Sequence, residues 1–212
     1  FKLIQSRSVE ILFCGVVELA NIYGVYKKAR NASWQALIDN RVDSLPVDVV
    51  RIVGNNGIKL LKDSQAHELR SGEAGISVFD GKQWFIVYDD SLPLGRKRFT
   101  VAHELGHIFL GHPLVAGFHA RTTGGNLPQT ENEANVFASR FLAPACVLWG
   151  LNAHTAAEIS RICEISKEAA ENRAKRMAEL NKRKMFLTSP LEQRVYSQFE
   201  RFIEQNRLTA DK

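Results

Sequence analysis

Residues 98–112 read Arg98-Phe99-Thr100-Val101-Ala102-His103-Glu104-Leu105-Gly106-His107-Ile108-Phe109-Leu110-Gly111-His112. Within them His103-Glu104-Leu105-Gly106-His107 is H-E-x-x-H, the pattern in which two imidazoles share one zinc ion and a glutamate stands ready as a base. On a helix each residue turns about 100°, so His103 and His107 fall about 40° apart, one above the other. Glu104 lies roughly 100° round from His103, within reach of a water at the ion without being a ligand. With six His in 212 residues, chance supplies this pattern about 0.01 times per chain. The flanking Phe99, Val101, Ala102, Leu105, Ile108, Phe109 and Leu110 make the helix apolar, a setting in which stray imidazoles and charge are costly.

A catalytic zinc needs a third protein ligand. An arrangement with Gly three and His six residues past the second histidine is excluded, because Gly111 is four and His112 five residues past His107. If the helix continues, His112 points about 140° away from His107, which makes it a helix-end or packing residue. A second helix offers a carboxylate. Residues 130–142 carry an apolar stripe of Ala134, Phe137, Ala138, Phe141 and Leu142, and Pro144 closes the segment. The stripe's centre lies about 50° from Glu131 and about 110° from Glu133 on a helical wheel. Thr130 followed by Glu133 also reads as a capping box, which gives Glu133 a job at the helix start. Glu131 is therefore the expected third ligand, with Glu133 the competitor. Asn135, one turn later, is placed to hydrogen-bond a ligand histidine and fix its tautomer.

The rest of the chain bounds the fold. At 212 residues with 24% charged and 45% apolar side chains, it can bury a core and does not read as disordered. Cys14, Cys146 and Cys163 are odd in number and lack C-x-x-C spacing, which fits free thiols in a reducing cytoplasm. Cys163 reads as a buried structural thiol in preference to a redox sensor. The apolar run Ile11–Val17 is too short to span a bilayer, and residues 1–18 read as an extension of unknown role. Helices are expected over 20–40 and up to about Val53, then a strand over Ile58–Leu61. Strands Ile76–Phe79 and Gln83–Tyr88 flank Asp80-Gly81, a hairpin signal. The Trp84–Tyr88 strand is open to two readings: an edge that receives an extended substrate, or an interior strand with Trp84 and Ile86 in the core.

Residues 113–129, with three Gly and Pro128, read as a long loop between the two metal helices. His119 and Arg121 within it have the chemistry to stabilise an oxyanion, but the surface reading is preferred for both. Residues 156–177 have the rhythm of a helix-turn-helix, and residues 173–184 hold six basic side chains against one Glu. Acids near the start of the second helix favour a structural helix pair over a DNA reader. The expectation is an α+β fold: a metallopeptidase-like region over 19–150 with a small antiparallel sheet, and a helical, helix-turn-helix-like region over 151–212.

The stretches 98–107, 131–138 and 141–144 resemble the ImmA/IrrE metallopeptidases, as do Leu45-Pro46-Val47-Asp48, Cys163–Ala170 and Met185–Pro190. Ala143 stands where that family often has Met. The resemblance implies a zincin-like fold of the gluzincin type. It places the ligands at His103, His107 and Glu131 (the last in E-x-x-A-N) and the base at Glu104. It also implies cleavage of a helix-turn-helix repressor that controls mobile-element or stress genes. The expected function is thus a zinc endopeptidase with a protein substrate and no membrane, for which DNA contact is possible but not expected. The competing class is a non-catalytic regulator that binds DNA or a repressor on the same fold.

Overall fold

The computed structural model describes residue 24, residues 26–112 and residues 129–208. The expectations for residues 1–18 with Cys14, and for the loop carrying His119 and Arg121, lie outside these. A helix over residues 26–39 (α1) is followed by α2 (Val49–Asn55), β1 (Lys59–Lys62), a single turn α3 (Asp63–Ala66), β2 (Gly75–Phe79) and β3 (Trp84–Tyr88). Then come α4 (Leu94–Leu110), α5 (Gln129–Leu142), α6 (Ala145–Gly150), α7 (Ala156–Cys163), α8 (Lys167–Lys182), α9 (Pro190–Gln198) and α10 (Glu200–Asn206).

The hairpin forms where Asp80-Gly81 predicts it. Gly81 takes φ +93, a conformation that a side chain would oppose. The Asp80 carboxylate accepts from the backbone N–H groups of Lys82 and Gln83, and Phe79 pairs with Trp84. The sheet order is β1-β3-β2, and β1 runs parallel to β3. The sheet is therefore mixed, with only the hairpin antiparallel. Its cause is connectivity: α3 and residues 67–74 carry the chain past the place that β3 later fills. Strand β3 is consequently interior, with Ile86 and Val87 buried, so it offers no edge to a substrate. Among the described residues the unpaired edges belong to β1 and β2.

Helix α4 packs its Thr100, Val101, Ala102, Leu105 and Gly106 face inward. Helix α5 buries Glu131, Glu133, Ala134, Phe137, Ala138, Phe141 and Leu142, the stripe seen in the sequence. The two helices lie close together at Gly106. A Cβ there would sit 3.1 Å from the Phe137 ring and 3.2 Å from the Ala134 Cα. Beyond it Phe137 stacks on Phe141 at 5.4 Å between centroids, and Phe109 meets Phe137 edge-on.

The later helices share this core, which runs continuously from Trp34 to Ile203. Helix α7 opens with a capping box of Thr155 and Glu158, and α8 with Ser166 as its cap. Buried Arg98 pins the α7–α8 turn to α4: its Nη2 donates to the carbonyls of Val47 (2.9 Å) and Cys163 (3.4 Å), and its Nη1 faces Glu164 at 3.6 Å. At Gly95 the backbone of α4 lies so close to Ile165 and Ser166 that no side chain fits between them. The start of α8 is thus packed on its own domain, whereas a DNA reader needs that end in a groove. Of the six basic residues in 173–184, Arg173 is buried and Arg176 pairs with Glu179 at 2.8 Å. Both features favour the structural helix pair. Cys146 and Cys163 are buried, and burial pushes both thiols up to about 12, so neither has the thiolate character a redox sensor needs.

Gly106→Val tests the helix contact. It should cost about 1–3 kcal/mol by overpacking, read as a lower denaturant midpoint. It should also weaken metal binding, because α5 must move away from α4.

Candidate metal centre

Helix α4 places His103 and His107 one turn apart on the face that meets α5, and Glu131 comes from the first turn of α5. The two Nε2 atoms lie 3.0 Å from each other. Glu131 Oε2 lies 3.2 Å from His103 Nε2, and its Oε1 lies 3.3 Å from His107 Nε2. Among the described residues these three form the one group of side chains able to hold a metal ion. Glu133 is on another side of α5: it accepts from the Gln129 amide at 2.8 Å and lies 3.7 Å from Lys28 Nζ.

The donor set fits a divalent cation. Ligand bonds of 2.0–2.1 Å to a tetrahedral ion put ligand atoms about 3.4 Å apart, close to the 3.0–3.3 Å observed. Asn135 Oδ1 lies 3.1 Å from His103 Nδ1. That hydrogen bond places a proton on Nδ1 and leaves Nε2 with a free lone pair in the neutral ring. Glu131 Oε2 is buried without a hydrogen-bond partner. A buried carboxylate oxygen without a hydrogen bond, beside two converging imidazole nitrogens, is costly, and a cation there would satisfy all three.

The charges agree. Burial pushes the Glu131 carboxyl up, but the adjacent imidazoles of His103 and His107 overcome it and pull the pKa down to about 2. Burial opposes charge on His103 as well, yet Glu131, Glu104 and Asn135 together hold its pKa above the ordinary 6.5. Glu104 is buried, with 7% of its surface exposed. Burial raises its pKa, against the pull of His103 and His107 and a hydrogen bond from the Ser77 hydroxyl. Ser77 is on β2, which crosses close over α4. A Cβ at Gly75 would run into the Thr100 side chain and stand 3.6 Å from Glu104 Cγ.

One residue escapes the sequence reading. Helix α4 stops at Leu110, and Gly111 takes the left-handed φ of +67. The chain then folds back, so His112 Nδ1 lies 3.0 Å from His107 Nδ1 and His112 Nε2 lies 3.3 Å from Glu133 Oε2. Extrapolating the helix past 110 sent His112 the wrong way. Gly111, a standard helix terminator, was the available signal.

Two measurements follow from this geometry. Glu131→Ala should weaken zinc binding by more than about 100-fold, beyond the loss typical of an outer-sphere partner, and by more than Glu133→Ala does. A chelator competition titration decides it, and the reverse order would exclude Glu131 as the ligand. Because the folded apo-protein holds a proton on His103 above pH 6.5, the metal must displace it. Apparent affinity should therefore rise with pH through and above 6.5 and level off once His103 is neutral. Calorimetry in buffers of different ionisation enthalpy should detect the released proton at the lower pH only.

Comparison with known proteins gives two matches. The model of the IrrE N-terminal-like domain family, Peptidase_M78, matches residues 57–175. The radiation response metalloprotease IrrE of Deinococcus radiodurans is 29% identical over 133 residues, which cover 53% of this chain and 40% of that protein. The chain thus spans about two-fifths of the length of the curated relative it matches.

Proposed function

We propose, from the premise that this chain belongs to the family of IrrE N-terminal-like metallopeptidases, that it is a zinc endopeptidase whose His103, His107 and Glu131 hold the ion and whose Glu104 is the general base. The observation that carries the reading is the convergence of His103, His107 and Glu131, whose ligand atoms lie within 4.8 Å of one another, with the buried Glu104 carboxylate next to His103 in sequence. Zinc suits a His₂Glu set, although Mn²⁺ and Fe²⁺ use the same donors. When bound, the ion supplies a Lewis acid that polarises the scissile carbonyl and acidifies a water.

The chain's own residues do the remainder. Glu104 takes a proton from the attacking water and returns it to the leaving amine, and burial, by raising its proton affinity, suits it to that exchange. Asn135 accepts from His103 and keeps Nε2 aimed inward. The substrate joins β2 as an added strand, since β3 is interior and β2 carries Ser77, which touches Glu104. Exposed Val78 and Phe79 on β2 give that strand apolar contacts. The substrate itself, an exposed segment of a helix-turn-helix repressor, rests on the family resemblance, as does action in the cytoplasm. No helix among the described residues is long and apolar enough to cross a membrane. A non-catalytic regulator would have no use for a desolvated glutamate at position 104.

Glu104→Gln should retain the metal and lose about 10² to 10⁴-fold in peptide hydrolysis. New protein N-termini are compared by mass spectrometry in source cells expressing wild type or this variant. Termini confined to one regulator and unique to wild type would name the substrate. Identical termini, with DNA damage included among the conditions, would sink the peptidase reading.

A further inference from the structure

The two histidines of the centre are each engaged at Nδ1, but by different means. His103 meets an amide oxygen, Asn135 Oδ1, at 3.1 Å. His107 meets another imidazole, His112 Nδ1, at 3.0 Å. A ring that offers Nε2 inward carries its proton on Nδ1, so His107 donates there and His112 must accept. His112 then carries its proton on Nε2, which faces Glu133 Oε2 at 3.3 Å. The direction of every hydrogen bond in this chain is fixed by the carboxylate at its end. Glu133 is itself held by the Gln129 amide at 2.8 Å and balanced by Lys28 at 3.7 Å.

We infer that His112 and Glu133 act as a unit that positions the His107 ligand and holds it in the tautomer that faces the metal. The inference rests on the metal-centre reading above. His112 is not one of the three side chains whose ligand atoms converge, and it reaches them only through His107, so its role is that of a positioning residue. Its burial supports the role: the His112 and Glu133 side chains expose only 6% and 5% of their surface. The His112 ring stands edge-on to His107 at 5.0 Å between centroids. Simple packing would need an apolar ring there and no buried carboxylate behind it. A buried carboxylate with one imidazole hydrogen aimed at it is instead the arrangement that fixes ring orientation and strengthens a ligand's basicity.

The test separates packing from hydrogen bonding. His112→Phe keeps a ring against His107 and removes the acceptor, whereas His112→Gln restores an acceptor oxygen. With the far-ultraviolet circular dichroism of the apo-protein unchanged, His112→Phe should bind Zn²⁺ 10- to 100-fold more weakly in chelator competition, the loss typical of an outer-sphere partner. It should also alter the visible Co²⁺ spectrum. His112→Gln should recover most of the affinity. Glu133→Gln should lose less than His112→Phe, and the double variant should be no worse than His112→Phe alone, because Glu133 acts on His107 only through His112.

Wild-type affinity and Co²⁺ spectrum in His112→Phe would overturn the inference. So would an equal loss in His112→Gln, or losses at 112 and 133 that simply add. If His112→Phe fails to fold, Glu133→Gln decides alone, and unchanged Zn²⁺ affinity there would overturn it. These readouts do not involve proteolysis. Identical protein N-termini from wild type and Glu104→Gln would therefore remove the peptidase reading and leave this comparison standing.

Discussion

Everything at the centre depends on how closely α5 can lie against α4, and that distance is set at Gly106. Two helices with side chains at their crossing keep their axes about 8–10 Å apart. Glycine at the crossing lets the Ala134 backbone and the Phe137 ring settle directly on α4. Only then does Glu131, three residues before Ala134, reach the Nε2 atoms of residues three before and one after Gly106. The x-x between the two histidines is therefore not free. Leu105 fills the core, Gly106 permits the approach, and the histidines flank the contact they both need.

The same packing makes the site costly. Glu104, Glu131 and Glu133 are all buried, and Arg98 is buried on the same helix as Glu104. Isolated charges in such places destabilise a fold by several kcal/mol each unless they are paired. The partners differ in a telling way. Arg98 finds backbone carbonyls and Glu164, while Glu133 finds Gln129, His112 and Lys28. Glu131 faces only two imidazoles, and one of its oxygens has no hydrogen bond. Glu131 Oε2 is thus one of several buried polar atoms left without a hydrogen bond, the three nitrogens of Arg173 among them, and it is the one that lies beside the two histidines.

Local periodicity made part of this legible and could not reach the rest. H-E-x-x-H states its own geometry because four residues nearly complete a helical turn. The apolar stripe of α5 separates Glu131, which lies beside the two histidines, from Glu133, which lies on another side of the helix. The hairpin was readable from Asp80-Gly81. What failed was any inference that crossed a break in the local pattern. His112 lies beyond the left-handed Gly111, where a wheel no longer applies. The parallel pairing of β1 with β3 joins residues about 26 apart in sequence, and its hydrogen bonds leave no mark on either strand alone. Arg173 sits in a run of basic residues, but the helix turns it into the core.

The placement of His112 and Glu133 bears on how the centre is assembled. Both helices leave their packed region here: α4 ends at Leu110, and α5 begins at Gln129. A hydrogen bond between His112 and Glu133 ties the two ends together without any ion. The Gly106 contact ties them one turn further in. With two fastenings, the spacing between the histidines and Glu131 is set by the protein, and under the proposed reading it would not have to be created by the metal. A cage of this kind loses little conformational freedom when it is filled, so more of the ligand-bond energy appears as affinity. It also presents the same geometry to whichever divalent ion arrives. Selection among ions must then come from donor chemistry, two imidazoles and one carboxylate, more than from the shape of a loop that could adapt to each.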